Sequence, residues 1–365
     1  MQIMNTEFKA YLERTSEKVS DFILNHDIIE HLKPEHIKQA VLTYLQRPSK
    51  RLRPAMLLMS CCLTGGDEKK ALGAAAGVEL FHTWTLVHDD VIDNDTLRRG
   101  EPTVHRLMET AAMDEMNLSP ELARDYGRDI AILAGDVQHG WCNTLFIDCA
   151  LRDGNDPRTI LTIIRHLQTY VLNMLVYGEV LDVQFGLQNN DILSIEEDDV
   201  VNMLWLKTGI LYEFSSMAGA MIGKNTSDIN DPVVQSIMKF TGKCGIAFQL
   251  QDDILGIVGD EKVLGKPVGS DIREGKKTTI LLHALRNASK QQMAKIISVL
   301  GDKNASDENI LKVKQLLIDL KGVEYTKNLA HEYINQALPY LDDLPENKYK
   351  QLLQQWAYFM INRSF

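Results

Sequence analysis

The run from Leu72 to Asp95 constrains this chain more than any other. Sixteen largely apolar residues, Leu72 to Val87, lead into His88-Asp89-Asp90-Val91-Ile92-Asp93-Asn94-Asp95. Such a run predicts a helix buried among other elements. Four carboxylates then crowd its end, and on a helix Asp89 and Asp93 stand one turn apart on one face. Two carboxylates so placed repel unless a cation sits between them. Hard oxygen donors on a rigid element suit Mg²⁺, which takes one or two carboxylates and fills its shell with water and substrate phosphates. A solvated acidic helix end would carry the same residues.

A second acidic cluster, Gln249-Leu250-Gln251-Asp252-Asp253, follows another apolar helical run, with Lys266, Lys276 and Lys277 soon after. Two such clusters on separate helices could hold several Mg²⁺ ions across one cavity and grip a diphosphate whose oxygens bridge them.

The 365 residues can bury a large core, as one big domain or two smaller ones. A hydrophobic content of 45% and a charged content of 24% are those of an ordered globular protein. The net charge of −11 argues against a general binder of nucleic acid or anionic membrane, so an anionic substrate needs local basic patches. The five cysteines, Cys61, Cys62, Cys142, Cys149 and Cys244, show no ligand-like spacing and read as buried thiols in a reducing compartment. Met1 to Asn25 has no uninterrupted apolar core and is not a signal peptide, and no segment reaches a membrane span. A cytoplasmic protein is expected, and a greasy substrate would need an interior cavity.

Helical spacing of apolar residues recurs throughout. Residues 5–25 and 37–45 read as helices. Arg47, Lys50, Arg51 and Arg53 then fall within seven residues at a loop-to-helix junction. This is either a solvated or localisation-like patch, or an anion site at a helix N-terminus. Ala55 to Leu63 is helical and stops at Gly65-Gly66. Beyond Asp95, Gly100 and Pro102 mark a loop bearing Arg98 and Arg99, which either balance the aspartates or present two forks to phosphate. Residues 107–128 read as an excursion from the bundle, an insertion and possible cover, with Ser119-Pro120-Glu121 as a helix start. Residues 129–151 and 158–185 are helical, and Ser194-Ile195-Glu196-Glu197 reads as a capping box. Lys207, amid Leu204, Leu206, Ile210 and Leu211, either snorkels to the surface or points at an anion. A linker spans 223–232, a helix carrying Asp252 and Asp253 spans 233–258, and 259–277 resembles a mobile lid without a Walker pattern. Residues 278–288, 290–300, 306–321, 323–341 and 345–362 read as further helices, with Ser289 and Gln292 capping one. No strand is expected. The chain reads as one all-α domain over 1–365, a single large bundle of roughly ten or more helices.

With these motifs in order, the chain resembles the trans-isoprenyl diphosphate synthases, the head-to-tail prenyltransferases of short-chain polyprenyl synthetase type. The resemblance covers about residues 44–280. Asp89-Asp90-Val91-Ile92-Asp93 matches the family's DDxxD and Arg98-Arg99-Gly100 follows at the family's distance. Lys50-Arg51-Leu52-Arg53-Pro54 matches GKxxRP, with Ser49 where Gly is usual. His82 matches a His or Gln of the isopentenyl diphosphate site, and Lys207-Thr208 matches a KT pair. Phe248-Gln249-x-x-Asp252-Asp253 matches the second aspartate motif, with Lys266 and Lys276 matching later lysines. Two positions depart: Gly256 replaces a third Asp, and Glu179 in Gly178-Glu179-Val180-Leu181-Asp182 replaces a common Gln.

The resemblance implies an isoprenoid-synthase bundle with a central cavity. In it, an allylic diphosphate ionises and isopentenyl diphosphate attacks the carbocation. Asp89, Asp93 and Asp252 would hold Mg²⁺, about three ions with substrate bound, backed by Asp90, Asp253 and Asp182. Arg98, Lys207 and Lys266 would assist the leaving diphosphate, and Thr208 and Gln249 would face the cation. Lys50, Arg53, His82 and Arg99 would hold isopentenyl diphosphate, and Lys276 is a further substrate ligand. The departing diphosphate takes the final proton, so no protein base is nominated. Phe81, Trp84 and Thr85, one and two turns before Asp89, would floor the cavity and limit the product to farnesyl or geranylgeranyl length, C15–C20. The resemblance also implies a homodimer. A terpene cyclase and a non-catalytic partner subunit are rival readings. The first lacks a second diphosphate pocket, and the second need not keep its carboxylates.

Overall fold

The computed structural model describes residues 2–187, 192–259 and 269–362. Almost every element is a helix. They are α1 (Gln2–Leu24), α2 (Glu35–Gln46), α3 (Leu52–Leu63), α4 (Glu68–Ile92), α5 (Val104–Met116), α6 (Pro120–Leu151), α7 (Pro157–His166), α8 (Leu172–Leu187), α9 (Glu197–Leu204), α10 (Ile210–Lys224), α11 (Pro232–Val258), α12 (Ser270–Glu274), α13 (Thr279–Asn287), α14 (Lys290–Ile297), α15 (Asp307–Asp319), α16 (Gly322–Ala337) and α17 (Lys348–Asn362). The expectation of no strand is corrected. Leu97–Arg98 and Glu101–Pro102, β1 and β2, pair antiparallel, because Arg99 and Gly100, both at positive φ, form the tight turn between them.

The chain divides into two compact units. One comprises Met1–Arg165, Ser215–Val234 and Pro345–Leu353; the other comprises His166–Phe214, Gln235–Leu344 and Gln354–Phe365. In the first, α4 is the central element. Its Ala71, Ala74, Ala75, Ala76 and Gly77 are buried, which lets α6 come close. Gly135 of α6 is the tightest case: a Cβ there would lie 2.1 Å from the His88 imidazole. His88 fills that space and hydrogen-bonds the Ile132 carbonyl of α6 at 3.0 Å, pinning the α4 end that carries the aspartates. Phe81 of α4 and Trp141 and Phe146 of α6 are fully buried, each stabilising by roughly 2–3 kcal/mol.

Residues 107–128, read as an excursion, form most of α5 and the first turns of α6, with Met108, Ala112 and Ala123 fully buried. Ser119 caps α6 through Leu122 N–H, with Pro120 in the first turn, as its residue types predict.

A π-helical turn, Leu167–Val171, leads from α7 into α8, and another, Trp205–Gly209, from α9 into α10; both turns belong to the second unit. The capping box expected at Ser194 sits two residues later: Glu196 is the N-cap and Asp199 reaches back to its N–H at 3.0 Å. Ile192–Ser194 is instead a short 3₁₀ turn. Ser289 and Gln292 form the reciprocal cap predicted for α14. The cysteines are free thiols, Cys62 alone being partly exposed. Among the described residues, no helix is long and apolar enough to cross a membrane.

Candidate functional site in two halves

In the first unit, the four cations around the start of α3 each take a different role. Arg51 is 4% exposed and points inward. It pairs with Glu79 at 2.5 Å and donates to the Leu45 carbonyl at 2.7 Å and Ser20 Oγ at 2.9 Å. Its left-handed backbone, φ 43, turns the chain into α3 and sends its neighbours outward. Lys50 is exposed. Arg53 lies 3.0 Å from His82 Nε2. Arg47 packs over the Tyr44 ring and binds Glu101 at 3.0 Å.

His82, Arg98 and Arg99 line a cleft with Tyr44, Arg47, Glu79, Thr83 and Leu86. Burial, then Arg53, Arg99 and Arg98, holds His82 well below the usual histidine range. Its neutral Nε2 is therefore free to accept from Arg53. Burial also lowers Arg99, with Arg98 and Arg51 adding repulsion and Glu79 partly offsetting it. A cleft that strains its own cations in this way favours an anionic occupant.

The two arginines after the aspartates divide the work. Arg98 binds Asp90 at 2.5 Å and Asp89 at 3.1 Å. Burial would lower it, but the hydrogen bond and charge of Asp90 prevail and raise it. Asp90, 1% exposed, is thus the counterion of Arg98 and also accepts from the Tyr44 hydroxyl. Asp89 and Asp93 stand one turn apart at the end of α4, Asp93 N–H bonding Asp89 O at 2.8 Å. Their oxygens are hard donors with no soft ligand among them, a set that fits Mg²⁺.

Phe81 is fully buried, and its ring meets Trp84 edge-on at 5.0 Å. Trp84 also lies 5.0 Å from His139 of α6. Thr85, half-buried, donates to the His82 carbonyl at 2.8 Å.

In the second unit, Lys207 and Thr208 fall in the Trp205–Gly209 π-helical turn, a device often found at functional positions. Lys207 neither snorkels nor stands alone: it reaches Asp182 at 2.7 Å and Glu179 at 2.9 Å on α8. Glu179, the departure from the family's Gln, therefore adds a second carboxylate to this lysine. Thr208 donates to Gln249 of α11 at 3.1 Å, and Gln249 donates to Asp253 at 3.4 Å. Burial pushes the Asp253 carboxyl well up, and Asp271 and Asp252 push it further. Crowded carboxylates of this kind fit a cation that would neutralise them. Lys276 pairs with Glu274 at 3.1 Å and its charge tempers Asp253. Lys277 turns inward to the Gly275 carbonyl at 2.7 Å. Lys266 lies outside the described residues. Among the described residues, no three His, Cys, Asp or Glu side chains converge as a metal cage. One or two carboxylates per ion is the donor number Mg²⁺ accepts beside phosphate and water.

Sequence reasoning missed Tyr44, Glu79 and Glu213. Glu79 had a signal, a charge in the middle of an apolar run. Tyr44 had none, since a tyrosine on an amphipathic helix reads as core. Glu213 accepts from Trp205 Nε1 at 2.7 Å, and burial pushes it up to about 7. Its folded value lies above the unfolded one, so wild-type stability falls as pH rises from about 4.5 to about 7. Glu213→Gln keeps the bond from Trp205 and should add about 3 kcal/mol at pH 8 but almost nothing at pH 4. Urea unfolding of both proteins at the two pH values measures this. An equal gain at both would exclude the glutamate's ionisation as its source.

A family model for polyprenyl synthetase matches residues 34–317. The geranylgeranyl diphosphate synthase of Saccharolobus solfataricus is 36% identical over 318 residues, covering 86% of each chain. A short chain isoprenyl diphosphate synthase of Methanothermobacter thermautotrophicus is 31% identical over 368 residues, covering 100% of this chain and 99% of that one. The crystal structure of geranylgeranyl pyrophosphate synthetase from Pyrococcus horikoshii superposes with a TM-score of 0.80 at 29% identity, covering 99% of each chain. The chain belongs to the polyprenyl synthetase family and is an all-α prenyltransferase of the isoprenyl diphosphate synthase kind.

Proposed function

We propose that the protein joins isopentenyl diphosphate head to tail to an allylic diphosphate, releasing diphosphate and leaving a product of C15–C20, farnesyl or geranylgeranyl diphosphate. The observation that carries this reading is the cationic cleft around His82 on the same helix as the Asp89–Asp93 edge. Seven residues of helix separate His82 from Asp89, about 10 Å along the axis. An anion pocket and a metal edge at that spacing suit two diphosphates held side by side.

Asp89 and Asp93, with Asp252 from the second cluster, would hold Mg²⁺, about three ions when substrate is bound. The ions supply positive charge where the leaving diphosphate becomes more anionic. Asp90 keeps Arg98 turned toward Asp89, so Arg98 can meet the same diphosphate. Lys207 is aimed by Glu179 and Asp182, and Lys266 and Lys276 would add charge to that side. Lys50, Arg53, His82 and Arg99 hold isopentenyl diphosphate, which is the positioning term. Thr208 and Gln249, bonded to each other, face their dipoles to the carbocation. The departing diphosphate takes the proton. Asp253 and Asp182 stand behind these groups. The whole 1–365 chain acts as one domain.

The test uses purified protein with Mg²⁺, isopentenyl diphosphate and dimethylallyl, geranyl or farnesyl diphosphate. Chain elongation to C15–C20 is expected. No turnover with both substrates, or release of a hydrocarbon from farnesyl diphosphate alone, would sink the reading.

Product length follows from bulk in the C-terminal half of α4. Trp84, backed by Phe81 and His139 with Thr85 beside it, floors the growing chain. Trp84→Ala should therefore lengthen the product by at least one isoprene unit, read by chromatography after dephosphorylation. An unchanged length would remove Trp84 from this role.

A homodimer fits the surface of α6. Leu122, Leu133, Ile147 and Leu151 are 57%, 50%, 43% and 76% exposed, and helical spacing puts them on one face with Gly140. The free thiols fit the cytoplasm.

A further inference from the structure

The second aspartate motif ends in Gly256, where the family pattern expects a third carboxylate. The space is not vacant. A Cβ built on Gly256 would lie 2.5 Å from Asp271 Oδ2 and 3.3 Å from its Cγ. Asp271 belongs to α12, fifteen residues along the chain, and its carboxylate occupies the volume that a side chain at 256 would need. The approach is built in. Gly269 N–H bonds the Gly256 carbonyl at 3.3 Å, tying the start of α12 to α11. Lys276 N–H bonds the Asp271 carbonyl at 2.9 Å and closes the turn behind it.

A second observation points to a ligand. Asp253 lies three residues before Gly256 on the same helix face and is 8% exposed. Its Oδ2 is buried and has no hydrogen-bond partner among the described residues. The charges of Asp271 and Asp252 both bear on Asp253, whose Oδ2 is the unsatisfied oxygen. Leaving such an atom bare is unfavourable, the more so when the group is charged. A hard cation removes that cost.

We propose that Asp271 supplies from α12 the carboxylate that Gly256 lacks, so that the second cluster holds its divalent cation with two elements instead of one helix. This rests on the metal-dependent reading above. It also gives Gly256 a purpose: a Cβ there would push the Asp271 carboxylate out of its present position. Metal binding would then tie α12 to α11.

The test is binding of Mn²⁺, followed by electron paramagnetic resonance, in the presence of inorganic diphosphate and without turnover. Asp271→Asn should weaken Mn²⁺ affinity by about tenfold or more. Gly256→Asp alone should also weaken it, because two carboxylates then compete for one space. The double variant Gly256→Asp with Asp271→Ala should recover most of the affinity, since the carboxylate returns on α11. That recovery also covers the case in which Asp271→Asn fails to fold. Asp252→Ala is the control for the metal reading itself. If Asp252→Ala loses Mn²⁺ while Asp271→Asn binds it like wild type, Asp271 is no ligand and the metal reading survives. If neither substitution changes Mn²⁺ binding, the metal reading of this cluster fails, and Asp271 with it.

Discussion

Asp89→Ala should reduce turnover by roughly a thousandfold, about 4 kcal/mol of transition-state stabilisation, while leaving the fold intact. The argument has two parts. In the proposed reading Asp89 is one of two carboxylates at the end of α4 that would hold the cation against the leaving diphosphate, and that helix face offers only Asp93 beside it. Its removal is nevertheless structurally mild. Arg98 stays fixed by Asp90 at 2.5 Å, and Asp89 is itself part-exposed. Losing one of two adjacent carboxylates also relieves like-charge crowding. Steady-state kinetics at saturating substrate, with far-UV circular dichroism as the control, distinguishes the cases. Turnover within tenfold of wild type would remove Asp89 from the metal edge, and loss of helix content would make it structural.

Arg51→Met should destabilise the protein by about 3–5 kcal/mol, far more than any other cation of the Arg47–Arg53 run. Its guanidinium donates to Glu79 Oε1, Leu45 O and Ser20 Oγ at once, and both members of the ion pair are 4% exposed. Cutting one partner leaves the Glu79 carboxylate buried without its cation, which is the costly case. The double variant Arg51→Met with Glu79→Leu should recover most of the loss, because replacing a whole buried pair by apolar groups is nearly neutral. Urea unfolding of the two variants reads both effects. A single-variant loss under about 1 kcal/mol would mean that the pair is not what shapes this loop.

Part of the candidate site could be read directly from the chain. Asp89 and Asp93 follow from helical geometry once the apolar run is read as a helix, and the two departures, Gly256 and Glu179, were visible as residues. Their consequences were not. Glu179 needed α8 beside Lys207, and Gly256 needed α12 beside α11. The β1–β2 pair was missed because two-residue strands leave no alternating pattern. The N-cap of α9 was misplaced by two residues because Glu196 with Asp199 performs the role that Ser194 with Glu197 suggested.

By itself the sequence determined the helical class, the two acidic helix ends and the basic cluster before α3. Each of these rests on periodicity or spacing within one segment. Only the tertiary structure decided what each charge does. It turned Arg51 inward to a glutamate 28 residues away and gave Arg98 to Asp90. It joined Tyr44 to Asp90 across 46 residues and set Lys207 between two carboxylates of α8. The physical reason is that a charge takes its role from its nearest partner. When that partner lies on another helix, packing chooses it, through close approaches such as α4 on α6 at Gly135 that no local pattern records.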